Sequence, residues 1–191
     1  LTGACVVIDP TTGATLAMAS SPTYDAAAFE EVISQAGSGA SEDSSELLNR
    51  ATQALYAPGS TFKTVTLSGA LSDGICEADS IYDAPAEMDI GNAPVANYQD
   101  KGYGDITVER AFQVSANTVF GQIGVEMGSE ALVRTAEAFG FNKKIDFDLP
   151  VATSLMPDPS EMTTWETAWA ADGEPVGEHA SPAGPQATVL Q

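Results

Sequence analysis

Ser60 and Lys63 are the two residues whose types and spacing best suit chemistry. Side chains three residues apart are neighbours on a helix surface, so the Lys63 amine can reach the Ser60 hydroxyl. Pro58 and Gly59 favour a turn before the helix, which places Ser60 in its first turn among unpaired backbone N–H groups. Such groups favour negative charge nearby. A serine, a lysine base and a helix start that stabilises an oxyanion together predict nucleophilic acyl transfer.

The Lys63 amine must be neutral to act as that base. At a reference pKa of about 10.4, about four lysines in ten thousand are neutral at pH 7. Burial lowers a lysine pKa, and an apolar run follows in the same predicted helix: Val65, Leu67, Ala70 and Leu71. The alternative is an ordinary helix in which Ser60 is a cap and Lys63 extends to solvent. About 0.3 such pairs arise by chance from 16 serines and 4 lysines, so the pair alone is weak support.

A second polar pair, Ser115 and Asn117, lies at a predicted junction between two helices. Both side chains can point into a cleft, where the hydroxyl can relay a proton and the amide can hold a substrate backbone. The alternative is a pair of capping residues. About 0.4 Ser-x-Asn triplets are expected by chance, so this pair also needs its context.

The elements that must position these residues are short strands and helices. Two apolar, partly β-branched runs, 4–8 and 14–18, flank a turn-rich stretch and predict an antiparallel hairpin. Helices are predicted at 26–33, at 60–71, in two parts of 107–127, and at 130–139 with Ser129 as its cap. The Ser/Gly-rich stretch 34–45 predicts a mobile surface loop, and the turn-rich stretch 76–104 predicts irregular structure with short strands.

Length and charge limit the classes of function. The 191 residues are 43% hydrophobic, which is enough for a core and one domain with room for a minor lobe. A net charge of −20 argues against binding to nucleic acid or anionic lipid. Apolar runs are too short to span a bilayer, which takes about 18 to 20 residues. The chain opens almost directly on a strand without a start methionine, so we expect a piece of a longer protein.

Metal and histidine chemistry have little support in the sequence. No cluster has the spacing of metal ligands, so we expect neither a metal nor a cofactor. The single histidine, His179, lies in a Gly/Pro-rich stretch with no motif around it, which indicates a surface residue. Cys5 and Cys76 allow one disulfide but do not require it.

Several motifs together resemble the transpeptidase domain of the penicillin-binding proteins, most closely the class B type. Three carry the resemblance: Asn49-Arg50-Ala51, then Tyr56-Ala57-Pro58-Gly59-Ser60-Thr61-Phe62-Lys63, then Ser115-Ala116-Asn117-Thr118-Val119-Phe120. Four further stretches match in order: Ile8-Asp9-Pro10-Thr11-Thr12-Gly13, Ser21-Pro22-Thr23-Tyr24-Asp25, Asp148-Leu149-Pro150 and Ala187-Thr188-Val189-Leu190-Gln191. The resemblance covers nearly the whole chain and is specific because the motifs occur jointly.

The resemblance implies an α+β fold like that of the serine β-lactamases, with an antiparallel sheet flanked by helices. Residues 1–191 would form a single, partial transpeptidase domain. Ser60 would be the nucleophile, Lys63 its base, Ser115 the proton relay to the leaving amine and Asn117 a ligand of the donor peptide. The reaction implied is D,D-transpeptidation, in which a peptidoglycan stem peptide acylates the serine and is crosslinked to a neighbouring stem.

The same resemblance implies ligands, partners and a compartment. β-Lactams would acylate the serine and trap it. The location would be the extracytoplasmic face of the bacterial membrane, held by an anchor outside this chain, with cell-division or elongation membrane proteins as candidate partners. No nucleic acid is expected.

One family motif is missing from the sequence. No lysine is followed by Thr-Gly or Ser-Gly, and the end at Gln191 resembles the segment before that motif strand. We therefore expect that the chain is truncated, so that the substrate carboxylate site and the strands that would complete the hairpin into a five-stranded sheet are absent. On this expectation the edge of 5–8 is open or covered by another segment, and the fragment has little or no activity.

Two alternatives remain at this point. A serine β-lactamase would need a glutamate that positions water, and Glu46-Leu47-Leu48-Asn49 resembles such a loop, although it precedes Ser60. A non-catalytic penicillin-binding sensor or scaffold would share the acylation chemistry without the transfer step.

Overall fold

The computed structural model describes residues 2–36, 46–175 and 187–188. Contacts between residues divide this part of the chain into two compact units. The first unit contains 2–36, 46–56, 144–153 and 187–188, and the second contains 57–143 and 154–175.

The first unit contains the predicted hairpin. Strand β1, Gly3–Ile8, pairs antiparallel with β2, Thr15–Ser21, so that Val6 faces Met18 across the pair. The Asp9 carboxylate accepts a hydrogen bond from the Thr11 N–H at 2.9 Å and closes the turn between the strands. Within the described residues, β1 pairs with β2 alone.

A short helix follows the hairpin in the first unit. A 3₁₀ turn at Ala26–Ala28, capped by the Asp25 side chain, leads into α1, Phe29–Ala36. The helix was predicted to end at Ile33, and it runs one turn further into the stretch predicted as a loop. The rest of that loop, 37–45, lies outside the described residues.

Within the first unit, Tyr56 pairs with Ala187, the first residue of the motif stretch 187–191. Its N–H and C=O exchange hydrogen bonds of 3.0 and 2.9 Å with Ala187 as an isolated antiparallel bridge. Residues 189–191 of that motif lie outside the described part of the chain.

The second unit holds most of the helices, with two short strand pairs beside them. A 3₁₀ turn, Gly59–Phe62, precedes the first of its helices. The helices are α2 at Lys63–Ser72, α3 at Val108–Val114, α4 at Asn117–Met127, α5 at Ser129–Ala138 and α6 at Thr164–Ala171. The strands are β3 at Ile81–Ala84, β4 at Glu87–Asp89, β5 at Pro94–Ala96 and β6 at Gly104–Thr107. β3 pairs with β6 and β4 with β5, both antiparallel, so the fold is α+β as predicted.

Helix α4 forms the centre of the second unit. It packs against α2, α5 and α6, and the side chains of Val119, Phe120 and Ile123 are fully buried. Gly124 allows α6 to approach closely, because a Cβ at this position would overlap the Ala171 methyl group. This close packing holds the first turn of α4 and the end of α6 in fixed positions.

Four details of the sequence-based prediction were wrong. Ser129 is the first residue of α5 rather than its cap, and its hydroxyl donates to the Pro159 carbonyl at 2.9 Å. The spacing of Phe112 from Val108 and Ala111 predicts that it lies on the apolar face of α3, yet 42% of its surface is exposed. Leu71 is 44% exposed, so it does not cover Lys63 as expected. Helix α6 was not predicted, although Thr163 and Glu166 form the reciprocal capping box that begins it.

The two cysteines do not form the disulfide that the sequence allowed. Cys5 is exposed and Cys76 is buried, and both are free thiols. Burial raises the pKa of the Cys76 thiol, which makes it less reactive as a nucleophile.

Candidate active site

Ser60 and Lys63 meet because the chain makes a 3₁₀ turn at this point. The sequence predicted an α-helix from Ser60, whereas the α-helix begins at Lys63 after the 3₁₀ turn Gly59–Phe62. A 3₁₀ helix has three residues per turn, so side chains at i and i+3 lie directly above one another. The Lys63 Nζ is 3.2 Å from the Ser60 Oγ.

The turn that carries Ser60 is fixed to the end of α6 by two glycines. The Gly59 N–H donates to the Gly173 carbonyl at 3.0 Å, and both residues have left-handed φ angles, 56° and 81°. A Cβ on Gly173 would overlap the Gly59 carbonyl, so only glycine permits this approach. As a result Ser60 is presented to solvent, while Lys63 behind it is fully buried.

Ser115 and Asn117 come from the junction of α3 and α4, as predicted. Ser115 is the C-cap of α3 and has left-handed backbone angles of φ 56° and ψ 46°. Asn117 is the first residue of α4, and its Nδ2 donates to the Ala96 carbonyl at 2.8 Å. The left-handed residue turns the chain sharply, so that both side chains point toward Lys63.

Lys63 lies at the centre of the site. Its Nζ lies 3.0 Å from the Ser115 Oγ and 3.1 Å from the Ser115 carbonyl oxygen, and it also donates to the Asn117 Oδ1. The Ser115 hydroxyl donates to the Ser60 Oγ at 2.9 Å and closes a ring of three polar groups. The structure thus brings together all four residues that the sequence singled out.

The apolar cover over Lys63 differs from the one predicted. The Phe120 ring lies 5.6 Å from the Nζ, measured to its centroid, and Phe120 is fully buried in α4. Val65 and Ala70 of the predicted run are buried, but Leu71 is not. The aromatic ring comes from the third motif stretch, which sequence spacing alone did not connect to the lysine.

Asp172 is a site residue that the sequence reasoning missed. Its Oδ1 lies 3.3 Å from the Lys63 Nζ, and the residue is only 3% exposed. The expectation of a buried lysine was a signal for such a partner, because charged side chains are rarely fully buried unless they are paired. With 27 acidic residues in the chain, the signal does not identify which one it is.

Burial governs the electrostatics of this pair. The pKa of Lys63 is lowered mainly by burial, and the attraction of Asp172 opposes the shift only in part. Burial likewise raises the pKa of Asp172 to about 8, against the effect of Lys63. Both groups are therefore driven toward their uncharged forms.

Metal ions are held by groups of ligating side chains, which the described residues would have to supply. No group of three His, Cys, Asp or Glu side chains among them could hold a metal ion. His179 lies outside the described residues. None of the described helices has the length and apolar character needed to cross a bilayer.

Comparison with protein families finds a match to the part of the chain that contains this site. The profile of the penicillin binding protein transpeptidase domain matches residues 3–173. Peptidoglycan D,D-transpeptidase PbpA of Mycobacterium tuberculosis is 38% identical over 149 residues, which are 73% of this chain and 30% of that protein. The chain therefore spans less than a third of the length of this curated relative.

Two solved structures are similar to the chain over almost its whole length. The D,D-transpeptidase domain of a peptidoglycan glycosyltransferase from Eggerthella lenta is 55% identical, with a TM-score of 0.92 over 99% of this chain and 46% of that one. Penicillin-binding protein A from M. tuberculosis, solved as an imipenem acyl-enzyme complex, is 29% identical, with a TM-score of 0.82 over 98% and 43% of the two chains.

Proposed function

Since the chain belongs to the penicillin-binding protein transpeptidase family, we propose that it takes part in peptidoglycan D,D-transpeptidation, with Ser60 as the nucleophile. In this reaction the serine attacks the penultimate D-alanine carbonyl of a stem peptide and releases the terminal D-alanine. The acyl group then passes to the amine of a neighbouring stem. One observation carries the proposal: Lys63 Nζ lies 3.2 Å from the Ser60 Oγ and 3.0 Å from the Ser115 Oγ.

The first step is the transfer of the Ser60 proton to Lys63. A neutral Lys63 Nζ at 3.2 Å accepts the hydroxyl proton while the Ser60 Oγ forms a bond to the carbonyl carbon. Burial supports this role because it lowers the pKa of Lys63. The backbone N–H of Ser60 belongs to the first turn of the 3₁₀ segment, where N–H groups lack intrahelical partners, and it would stabilise the oxyanion that forms.

The second step is the protonation of the leaving amine. The Ser115 hydroxyl is 2.9 Å from the Ser60 Oγ and 3.0 Å from the Lys63 Nζ, so it can pass a proton from the lysine to the leaving group. Asn117 holds Lys63 through its Oδ1 and is tied to Ala96 through its Nδ2, which fixes it for binding the donor peptide.

We propose the same active serine as the target of β-lactams. A relative 29% identical to this chain is solved as an imipenem acyl-enzyme complex, which supports acylation by this class of drug. We further propose that residues 1–191 form part of one transpeptidase domain that acts outside the cytoplasm, attached to the membrane and working with cell-division or elongation proteins.

Penicillin labelling tests the nucleophile directly. In the protein at its full natural length, the intact mass should rise by one drug equivalent, and Ser60→Ala should abolish the rise. Ser68→Ala is the matched control, because Ser68 is an exposed serine of α2 whose hydroxyl donates to the Thr64 carbonyl in its own helix. Labelling of Ser60→Ala, or an adduct mapped to another residue, would show that the nucleophile is misassigned.

Turnover separates the transpeptidase from the alternatives. A D-alanyl-D-alanine stem peptide and an amine acceptor should yield free D-alanine and a crosslinked product. Rapid hydrolysis of the penicilloyl adduct would indicate a β-lactamase instead. Stable labelling without D-alanine release would indicate a sensor or scaffold.

A further inference from the structure

Asp172 is a buried ionisable group beside Lys63 that the proposed steps leave unused. It is the C-cap of α6, Thr164–Ala171, and is 3% exposed. The C-terminal end of a helix carries partial negative charge from its unpaired carbonyl groups, so it disfavours a carboxylate. Both the burial and the position therefore favour the neutral acid form of Asp172.

The contacts of Lys63 with other residues already account for the N–H donors that it could offer to Asp172. An ammonium has three N–H donors, and four oxygen atoms of Ser60, Ser115 and Asn117 already lie in bonding geometry around Nζ. The Asp172 Oδ1 lies 3.3 Å from Nζ, yet it accepts no well-directed hydrogen bond from any residue in the described part of the chain. A buried carboxylate oxygen without a donor is unfavourable, whereas a carboxylic acid carries its own proton.

We propose that Asp172 is a positioning residue whose carboxyl holds the one proton of the pair, while Lys63 faces Ser60 as a neutral amine beside a neutral acid. The inference rests on the proposed function and assigns a residue that this function does not use. The proton moves from the Lys63 Nζ to the Asp172 Oδ1 and leaves the nitrogen lone pair free.

The remaining steps carry the Ser60 proton to the leaving amine and restore the protons of Lys63, Asp172 and Ser115. The Nζ lone pair accepts the Ser60 proton, and the electron pair left on the Ser60 Oγ forms the bond to the carbonyl carbon. When the tetrahedral intermediate collapses, Ser115 gives its proton to the leaving amine and is reprotonated from Lys63. The pair then again holds one shared proton, and no other reactant is needed.

The charged groups that act on the pair are few. Lys63 and Asp172 act on each other, and Glu174, which is partly exposed two residues after Asp172, acts on both. Burial raises the pKa of Asp172 to about 8, so Asp172 should lose its proton as the pH rises through that value. Below that pH the base has a neutral neighbour, and above it the base has an anionic one.

Direct titration of Lys63 tests the inference without any reference to activity. The chain has 4 lysines, and Lys101, Lys143 and Lys144 are exposed. With ¹³C-labelled lysine, Lys63→Arg identifies the Lys63 Cε resonance. We expect this resonance to have the chemical shift of a neutral amine at pH 7. Asp172→Asn should move the titration midpoint of Lys63 by less than about 0.5 pH unit, because residue 172 is neutral in both proteins.

An ordinary ion pair would give the opposite result. Lys63 would then be an ammonium at pH 7, and Asp172→Asn would lower its midpoint by more than about one pH unit, because an attractive charge is lost. That outcome overturns the inference. If Asp172→Asn does not fold, the titration of the unmodified protein is sufficient. Lys63 is an amine at pH 7 if the inference holds and an ammonium if the two residues form an ordinary ion pair.

The pH dependence of acylation is the second readout. The ratio of the Asp172→Asn rate to the unmodified rate should change by about threefold or more between pH 7 and 9, because only the unmodified protein can lose the Asp172 proton there. Asp73→Asn is the control, because Asp73 is also a helix C-cap but forms an exposed pair with Arg134. A ratio constant across this range, as expected for a purely structural role, would overturn the inference.

The two proposals fail in different ways. If Ser60 is not acylated but Lys63 titrates as an amine, then the proposed function is wrong and the proposed sharing of one proton between Lys63 and Asp172 stands. If Ser60 is acylated and Lys63 is an ammonium at pH 7, then the function stands and the role of Asp172 is wrong.

Discussion

Ser115 combines a polar side chain with a strained backbone. Its left-handed conformation costs a non-glycine residue roughly 1 to 2 kcal/mol. The strain is offset because the same conformation directs the hydroxyl to Ser60 and the carbonyl to Lys63. Residues that keep such strain often lie at functional sites, and here the geometry shows what the strain achieves.

Two substitutions at Ser115 separate its chemistry from its conformation. Ser115→Ala and Ser115→Gly both remove the hydroxyl, so both should slow acylation by about 10²- to 10⁴-fold, the usual size of a general acid–base contribution. Only glycine also relieves the strain, so Ser115→Gly should be more stable than Ser115→Ala by roughly 1 kcal/mol. Penicillin labelling rates and thermal unfolding measure the two effects.

An unchanged labelling rate in both variants would reduce Ser115 to a capping residue. A large difference in rate between alanine and glycine would mean that the backbone, rather than the hydroxyl, controls acylation.

For single residues, the sequence predicted the pairs Ser60–Lys63 and Ser115–Asn117 but not the other residues that contact Lys63. The Ser60–Lys63 spacing required only local geometry, which helical periodicity supplies. Phe120 and Asp172 reach Lys63 from α4 and from the end of α6, both of which lie far along the chain. Contacts of this kind depend on how the helices pack, which no local pattern encodes.

Helix α6 is the element on which the site depends most. It contacts α4 along one face, and its end supplies both Asp172 and the carbonyl of Gly173 that binds the Gly59 N–H. The sequence-based prediction missed this helix because its Ala- and Trp-rich stretch has no clear apolar stripe. The capping box at Thr163 was the readable signal.

Close packing between α4 and α6 gives a prediction at the scale of elements. Alanine normally favours a helix over glycine by about 1 kcal/mol. Gly124→Ala should nevertheless destabilise the protein by about 1 to 3 kcal/mol, because the new methyl group would overlap that of Ala171. Chemical unfolding monitored by tryptophan fluorescence measures the change, since Trp165 and Trp169 lie in α6.

Gly121→Ala is the matched control in the same helix. A Cβ there would lie 3.0 Å from the Cδ1 of Ile90, the end of a flexible side chain that can move. Its cost should therefore be smaller than that of Gly124→Ala. If Gly124→Ala instead stabilises the protein, then α6 lies further from α4 than the structure shows.

The whole molecule carries a large excess of negative charge. Its 27 acidic and 7 basic residues give a net charge of −20. Charge of one sign repels itself and destabilises the compact state, and salt screens the repulsion. Among the described residues, the exposed pair Arg134–Asp73 offsets part of this charge.

Added salt should therefore stabilise the protein. Between 10 mM and 500 mM NaCl we expect a gain of about 1 kcal/mol, which corresponds to an increase in Tm of about 2 to 4 °C for a chain of this size. Differential scanning calorimetry measures the shift, with sucrose of equal osmolality as the uncharged control. A Tm that falls with salt would mean that attractive pairs outweigh the repulsion.

The two facing glycines at 59 and 173 also limit how this protein can evolve. A Cβ on Gly173 would overlap the Gly59 carbonyl, whereas a Cβ on Gly59 would meet nothing within 4 Å, so Gly59 is limited only by its left-handed φ of 56°. A change at Gly173 would therefore displace the turn that carries Ser60, whatever happens on the surrounding surface. The position of Ser60 is thus inherited together with a glycine that lies far along the chain, just after α6.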